Sequence, residues 1–157
     1  MIQTSVALAT FLLCTTPVLA ETVVGRASVI DGDTLEIRGT RVRFHGVDAP
    51  ESAQTCQSLD GKAYRCGQRA ALALSDKIGT SNVSCVQKDI DRYQRIVAVC
   101  SAKGEDLNAW LVQEGYALAY RQYGADYVPQ ETAAKNARRG HLGWHLYTAL
   151  GLAQGHP

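Results

Sequence analysis

Hydrophobic and polar residues alternate from Thr22 to Val47, and a period of two predicts β-strands. TVVGRASVI reads as a first strand. DTLEIRG reads as a second, with Leu35 and Ile37 set against charges, and TRVRFHGV as a third, with Val42 and Phe44 on one face. Turn signals at Asp31-Gly32 and Gly39-Thr40 separate them, giving an antiparallel meander. The period then changes. Residues 65–78, RCGQRAALALSDKI, carry Ala and Leu at helical spacing and stop at Gly79, predicting a helix. SNVSCVQ and RIVAVCSA return to the strand pattern and flank DIDRYQ, a hairpin centred near Arg92 and Tyr93. Asp106 is a candidate N-cap for a helix with Leu107, Trp110 and Leu111 at i, i+3 and i+4, ending at Gly115. Pro129 and Gly140 frame a third helix with Ala133, Ala134 and Ala137 on one stripe, and Arg138 and Arg139 complement the dipole at its end.

The order β-β-β-α-β-β-α-α suits an α+β, mainly β fold: a five-stranded Greek-key barrel of the OB type, closed by three helices. One domain over residues 21–150 accounts for the pattern, leaving 151–157 as a frayed tail. The length of 157 residues and the net charge of +1 exclude a repeat array, a large multidomain enzyme and a protein that coats polyanions through a strong positive field. Any nucleic-acid contact must be local.

Residues 1–20, MIQTSVALATFLLCTTPVLA, contain no charged side chain and end in Val18-Leu19-Ala20, the small-residue pattern of a signal-peptidase site. The apolar run from Val6 to Leu13 is too short to span a bilayer. The reading is therefore export to the periplasm or the medium, with no stable membrane association after cleavage. Cys14 leaves with the signal, and Cys56, Cys66, Cys85 and Cys100 remain for an oxidising compartment. The absence of a CxxC pair favours disulfides over zinc. In the hairpin, Cys85 falls opposite Cys100; Cys56 with Cys66 then closes the loop CQSLDGKAYRC.

Three clusters could carry chemistry: VIDGDT at 29–34, VRFHGVDAPE at 42–51 and DRYQR at 91–95. Singly, each has a bland reading as a turn or a solvated loop. Together they bring Asp33, opening the second strand, and Asp48, ending the third, to one rim. Two carboxylates, a carbonyl from the Asp48-Ala49-Pro50 turn and water make an open site for calcium or another hard divalent ion. Glu51 is a third carboxylate just beyond. Arg43 and Arg95 add guanidiniums whose planar forks match phosphate oxygens. A metal, two arginines and a carboxylate are what phosphodiester hydrolysis requires. His45, alone on a strand, reads as structural, and Gly140 and Gly143 argue against a metal pair from His141 and His145.

These three blocks, in order and at their separations, resemble the signatures of the staphylococcal-nuclease-like (thermonuclease) family, and the likeness runs from Thr22 to Trp144, including GYALAY. The resemblance implies an OB-fold enzyme that uses calcium to hydrolyse DNA and RNA to products ending in 3'-phosphates, with single strands favoured. It implies Asp33, Asp48 and the Ala49 carbonyl as ligands of one calcium ion, Asp31 as outer support and Glu51 as general base or water-orienting residue. It implies Arg43 and Arg95 on the scissile phosphate, Arg92 and Tyr93 at a terminal phosphate or sugar, and Tyr120 stacked on a base. Gln94 stands where the family often has Gly, and Ala49 where it often has Thr. The protein is read as a monomer. The alternative from another class is the same barrel used as a non-catalytic nucleic-acid or protein binding module.

Overall fold

The computed structural model describes residues 21–58 and 60–140. The signal reading, the tail 151–157, Trp144, His141 and His145 lie outside them. The first strand is β1 (Thr22–Val29), followed by β2 (Thr34–Ile37), β3 (Thr40–Phe44) and β4 (Val47–Asp48). Next come two short strands, β5 (Cys56–Gln57) and β6 (Ala63–Tyr64), and helix α1 (Cys66–Ile78). The long hairpin of β7 (Asn82–Ile90) and β8 (Ile96–Ala102) leads through β9 (Glu105–Asp106) into α2 (Leu107–Gln113). The chain continues with β10 (Leu118–Ala119), a 3-10 turn at Arg121–Tyr123 and α3 (Val128–Asn136).

Pairing runs β3-β2-β1-β7-β8, and a parallel contact between β3 and β8 closes the ring. The five-stranded barrel with three helices expected from the sequence is therefore present. Period-two alternation explains its core: Leu35, Ile37, Val42, Phe44, Val83 and Ala98 point inward and are buried, with α1 adding Leu74 and Ile78, and α2 Leu107 and Leu111. Cys85 pairs directly with Cys100 across the hairpin, with Cα atoms 4.0 Å apart, and their disulfide lies in this core. Cys56 and Cys66 are bridged with Cα atoms 5.6 Å apart and form a small separate cluster with Tyr64. Asp106 caps α2 as expected, its carboxylate accepting from Ala109 N at 2.9 Å.

Three details differ from the sequence reading. The third strand does not run on to Asp48; it breaks at His45-Gly46, where Gly46 has φ of +67°, and Val47–Asp48 pairs with Leu118–Ala119 instead. The second turn is Arg38-Gly39 rather than Gly39-Thr40, because Ile37 pairs with Thr40 and both intervening residues have positive φ. The third helix ends at Asn136, short of Arg138 and Arg139, and its buried residues are Glu131 and Ala134 rather than an alanine stripe. Arg139 instead reaches Glu114 at 3.4 Å. Glu131 is buried because Arg121 and Lys135 both pair with it. Among the described residues no helix is long and apolar enough to cross a membrane.

Candidate active site

The rim of the barrel is assembled by the turn before β2, the end of β3, and β4. Thr34 is paired with Arg43, so Asp33, one residue earlier, lies beside the base of the Arg43 side chain. Arg43 Nη2 is 3.1 Å from Asp33 Oδ2 and 3.4 Å from Asp48 Oδ1, so one guanidinium nitrogen sits between the two carboxylates. Asp33 is almost wholly buried, at 4% exposure. It accepts from Thr34 Oγ1 at 3.0 Å and from Ala49 N at 3.3 Å, which brings the Ala49 backbone against the same carboxylate. Asp31 stands behind, its carboxylate accepting from Asp33 N at 3.0 Å.

Gly32 makes this closeness possible. A Cβ there would fall 2.7 Å from that of Ala49 and 2.9 Å from that of Ala70 on α1, so any larger residue would push the loops apart. The electrostatics follow from burial. Loss of water pushes the Asp33 carboxyl up to about 7, against the pull of Arg43, and the Asp31 charge adds to the rise. Burial also raises Asp48, again opposed by Arg43. Burial disfavours the Arg43 charge too, but Asp33, Asp48, Asp31 and Glu51 outweigh it and hold the guanidinium above its ordinary range.

Glu51 is exposed on the turn just past Pro50, close enough for its charge to act on Arg43. Arg95 belongs to the neighbouring hairpin. Val97 pairs with Arg43 across the β3–β8 contact, so Arg95, two residues earlier, shares the outer side by alternation. Its guanidinium, however, is turned to its own loop: Nε donates to Asp91 Oδ2 at 2.7 Å, and the group lies 5.5 Å from the Tyr93 ring centre. Asp91 also accepts from Tyr93 N and Arg95 N, each at 2.9 Å, and Gln94 takes a left-handed φ of +62° where the family often has Gly. Arg92 stacks on Tyr93 at 4.9 Å, and Tyr93 is 64% exposed at the hairpin tip. Tyr120 is half-buried beyond β10, its hydroxyl bonded to Gln122 and its N–H to the Gly46 carbonyl.

Asp33, Arg43, Asp48 and the Ala49 backbone are thus in direct contact. Glu51 borders them, while Arg95, Arg92 and Tyr93 form a second group on the β7–β8 loop. Among the described residues no three His, Cys, Asp or Glu side chains converge as a metal-binding group, so a cation at this rim would rest on two carboxylates, a backbone oxygen and water.

The Staphylococcal nuclease homologue model matches residues 41–145, two thirds of the chain. The chain belongs to that family. It is 34% identical to the micrococcal nuclease of Shigella flexneri, across 88% of this chain and 82% of that protein. It is 46% identical to the succinoglycan biosynthesis protein ExoI of Rhizobium meliloti, over 63% of this chain but only 53% of that protein. An uncharacterized endonuclease of Haemophilus influenzae is 33% identical over 73% of this chain and 61% of its own length. The chain therefore spans about half to four fifths of the length of these three relatives.

One residue that supports the rim escaped the sequence reading. Asn108, fully buried in α2, donates to the carbonyls of His45 (3.0 Å) and Ala98 (3.1 Å) and accepts from Cys100 N (3.0 Å). It thereby fixes the bend that turns β3 into β4. The signal was available: one amide on the apolar face of LNAWL, which must find partners when buried. His45 Nε2 lies 3.1 Å from Asp126 Oδ2. Tyr127 is a packing residue with its hydroxyl donating to Asp106 Oδ2 at 3.3 Å.

Proposed function

We propose that this chain is an exported, monomeric nuclease that uses one calcium ion to hydrolyse phosphodiester bonds of DNA and RNA, preferring single strands and leaving 3'-phosphates. The observation that carries the reading is the contact of Asp33, Asp48 and Arg43 at one rim, with Glu51 next to it. Family membership and the printed nuclease names of relatives support it. Residues 1–20 act as the export signal and residues from 21 onward as the nuclease domain.

The donor set fits a hard cation. Asp33 and Asp48 set two carboxylates against the single guanidinium of Arg43, so the rim can take further positive charge. A divalent ion held by Asp33, Asp48 and the Ala49 carbonyl would supply that further charge and polarise a phosphate oxygen. The remaining work belongs to the side chains. Arg43, preoriented by its two carboxylates, holds a non-bridging oxygen of the phosphodiester and stabilises the charge that grows there. Arg95 takes a second oxygen once it exchanges its part-buried contact with Asp91 for the phosphate. Glu51 accepts a proton from the water that attacks phosphorus. The new O–P bond forms as the P–O5' bond breaks, the 5' oxygen picks up a proton from solvent, and the 3' side keeps the phosphate. Tyr93 and Arg92 would meet the sugar or terminal phosphate, and Tyr120 would face a base.

The full chain purified from its export compartment is incubated with denatured DNA in calcium, in chelator, and in chelator followed by excess calcium. Cleavage is expected in the first and third only, with products that a 3'-phosphatase makes extendable by polymerase. Equal cleavage with and without calcium would refute the metal dependence. Binding without cleavage under every divalent ion tried would instead favour the non-catalytic module.

A further inference from the structure

The Glu51 side chain has no hydrogen bond of its own among the described residues, so its aim depends on the backbone beneath it. That backbone is held at several points. Glu51 O accepts from Gln54 N at 2.7 Å, and Glu51 N donates to Gln54 Oε1 at 3.3 Å, closing a turn over residues 51–54. The Gln54 carbonyl in turn accepts from Gly67 N at 3.4 Å and lies 3.5 Å from Sγ of Cys66. That sulfur is bonded to Cys56 and has no proton to give, so the contact is packing. A Cβ on Gly67 would fall 1.7 Å from the Glu51 carbonyl oxygen, so the first turn of α1 lies directly against the Glu51 backbone. On the opposite side Ser52 Oγ donates to the Ile30 carbonyl at 3.0 Å, anchoring the same turn to the end of β1.

We propose that Gln54 and the Cys56–Cys66 bridge are a clamp that positions the Glu51 turn against α1 and so acts on the chemical step. The inference rests on the catalytic role given to Glu51 above. The bridge belongs to a cluster separate from the barrel core, so removing it leaves the five strands intact. Without it, the segment from Gln54 to Gly67 loses the cross-link at its base, and the carboxylate samples positions away from the phosphate.

Two variants of the full chain test this: Cys56→Ser with Cys66→Ser, and Gln54→Met, which keeps length but removes the acceptor for Glu51 N. In both, kcat on single-stranded DNA is expected to fall about tenfold to a hundredfold, the scale of a misplacement near 1 Å, with KM nearly unchanged. Gln54→Glu, which restores an acceptor oxygen, is expected to recover most of the loss. Amide exchange supplies a readout independent of cleavage: the N–H groups of Gln54 and Gly67 should exchange at least about tenfold faster in the cysteine variant, while those of β7 and β8 keep their protection. Wild-type kcat in both variants, or unchanged exchange at Gln54 and Gly67, overturns the clamp. If the wild type cleaves nothing, the catalytic reading of Glu51 falls separately, and the exchange measurement still decides whether the bridge holds the turn.

Discussion

The barrel wall and the Glu51 turn hold candidate site residues by different means. Asp33 and Arg43 stand on or beside paired strands, where one register fixes both, and behind them the Cys85–Cys100 bridge lies at zero exposure in the core. Glu51 stands on an exposed turn outside the sheet, held by one amide side chain, one glycine contact and a second bridge that belongs to a satellite cluster. The difference separates stability from placement. Cooperative strand pairing supplies the first and, for Asp33 and Arg43, the second as well; Glu51 needs local fasteners of its own.

The largest effect expected from breaking this arrangement is on the wall side. Arg43→Ala removes the group in contact with both carboxylates and the proposed phosphate clamp, and kcat should fall roughly 10²- to 10³-fold. Steady-state cleavage beside Arg26→Ala, an exposed arginine on β1, provides the comparison, and Arg26→Ala is expected to keep wild-type rates. Equal losses in the two would mean that general positive charge, not the Asp33–Arg43–Asp48 contact, matters.

The two bridges should then differ in their effect on rate. Cys85→Ala with Cys100→Ala opens a crosslink of sequence separation 15 and should lower unfolding free energy by about 3 kcal/mol, seen as a lower denaturation midpoint. Its kcat, measured well below the melting temperature, should stay near wild type. The Cys56 and Cys66 variant, of sequence separation 10, should lower the midpoint by a similar amount by the same reasoning, but its kcat should fall as well. A loss of kcat in the core pair matching that in the satellite pair would erase the distinction between wall and turn.

The same division explains what could be read from the sequence. Strand alternation made the barrel legible, and it fixed Cys85 opposite Cys100 because a hairpin leaves little choice of register. Asp106 announced its helix because a capping carboxylate acts within one turn. The break at His45-Gly46 was not legible: the strand pattern runs straight through it, and what claims Val47–Asp48 is β10, far along the chain. Nor was the burial of Glu131, which depends on Arg121 and Lys135 reaching it from outside its own apolar stripe. In the site, residue types at Asp33, Arg43, Asp48 and Glu51 pointed to phosphodiester chemistry, but Gln54 and Gly67 carry no chemical signature. Their importance lies in distances that only the folded chain contains.

The smallest effect should come from protons at the rim, and its sign follows from burial. Native Asp33 keeps its proton up to about pH 7, whereas the same carboxyl in the unfolded chain releases it near 3.8. Between those values the native state binds more protons than the unfolded state, so this group's contribution is full below the lower value and declines as pH rises toward the upper one. Asp48 is raised for the same reason and adds to the trend, while Arg43, held above its ordinary range, stays charged across the window and its pull is already part of the Asp33 value. In chelator, the wild type should therefore lose about 2 to 3 kcal/mol between pH 5 and pH 8, seen as a lower Tm. Asp33→Asn, which keeps one acceptor oxygen for Ala49 N and can turn its amide N–H to Thr34 Oγ1 but has no carboxyl proton to lose, should show a flatter profile across that window. Calorimetric melting of the two proteins at matched pH checks this. A wild-type profile that rises between pH 5 and pH 8, relative to Asp33→Asn, would mean that Arg43 stabilises the carboxylate more than burial destabilises it, and that the rim needs no further cation to hold Asp33 ionised.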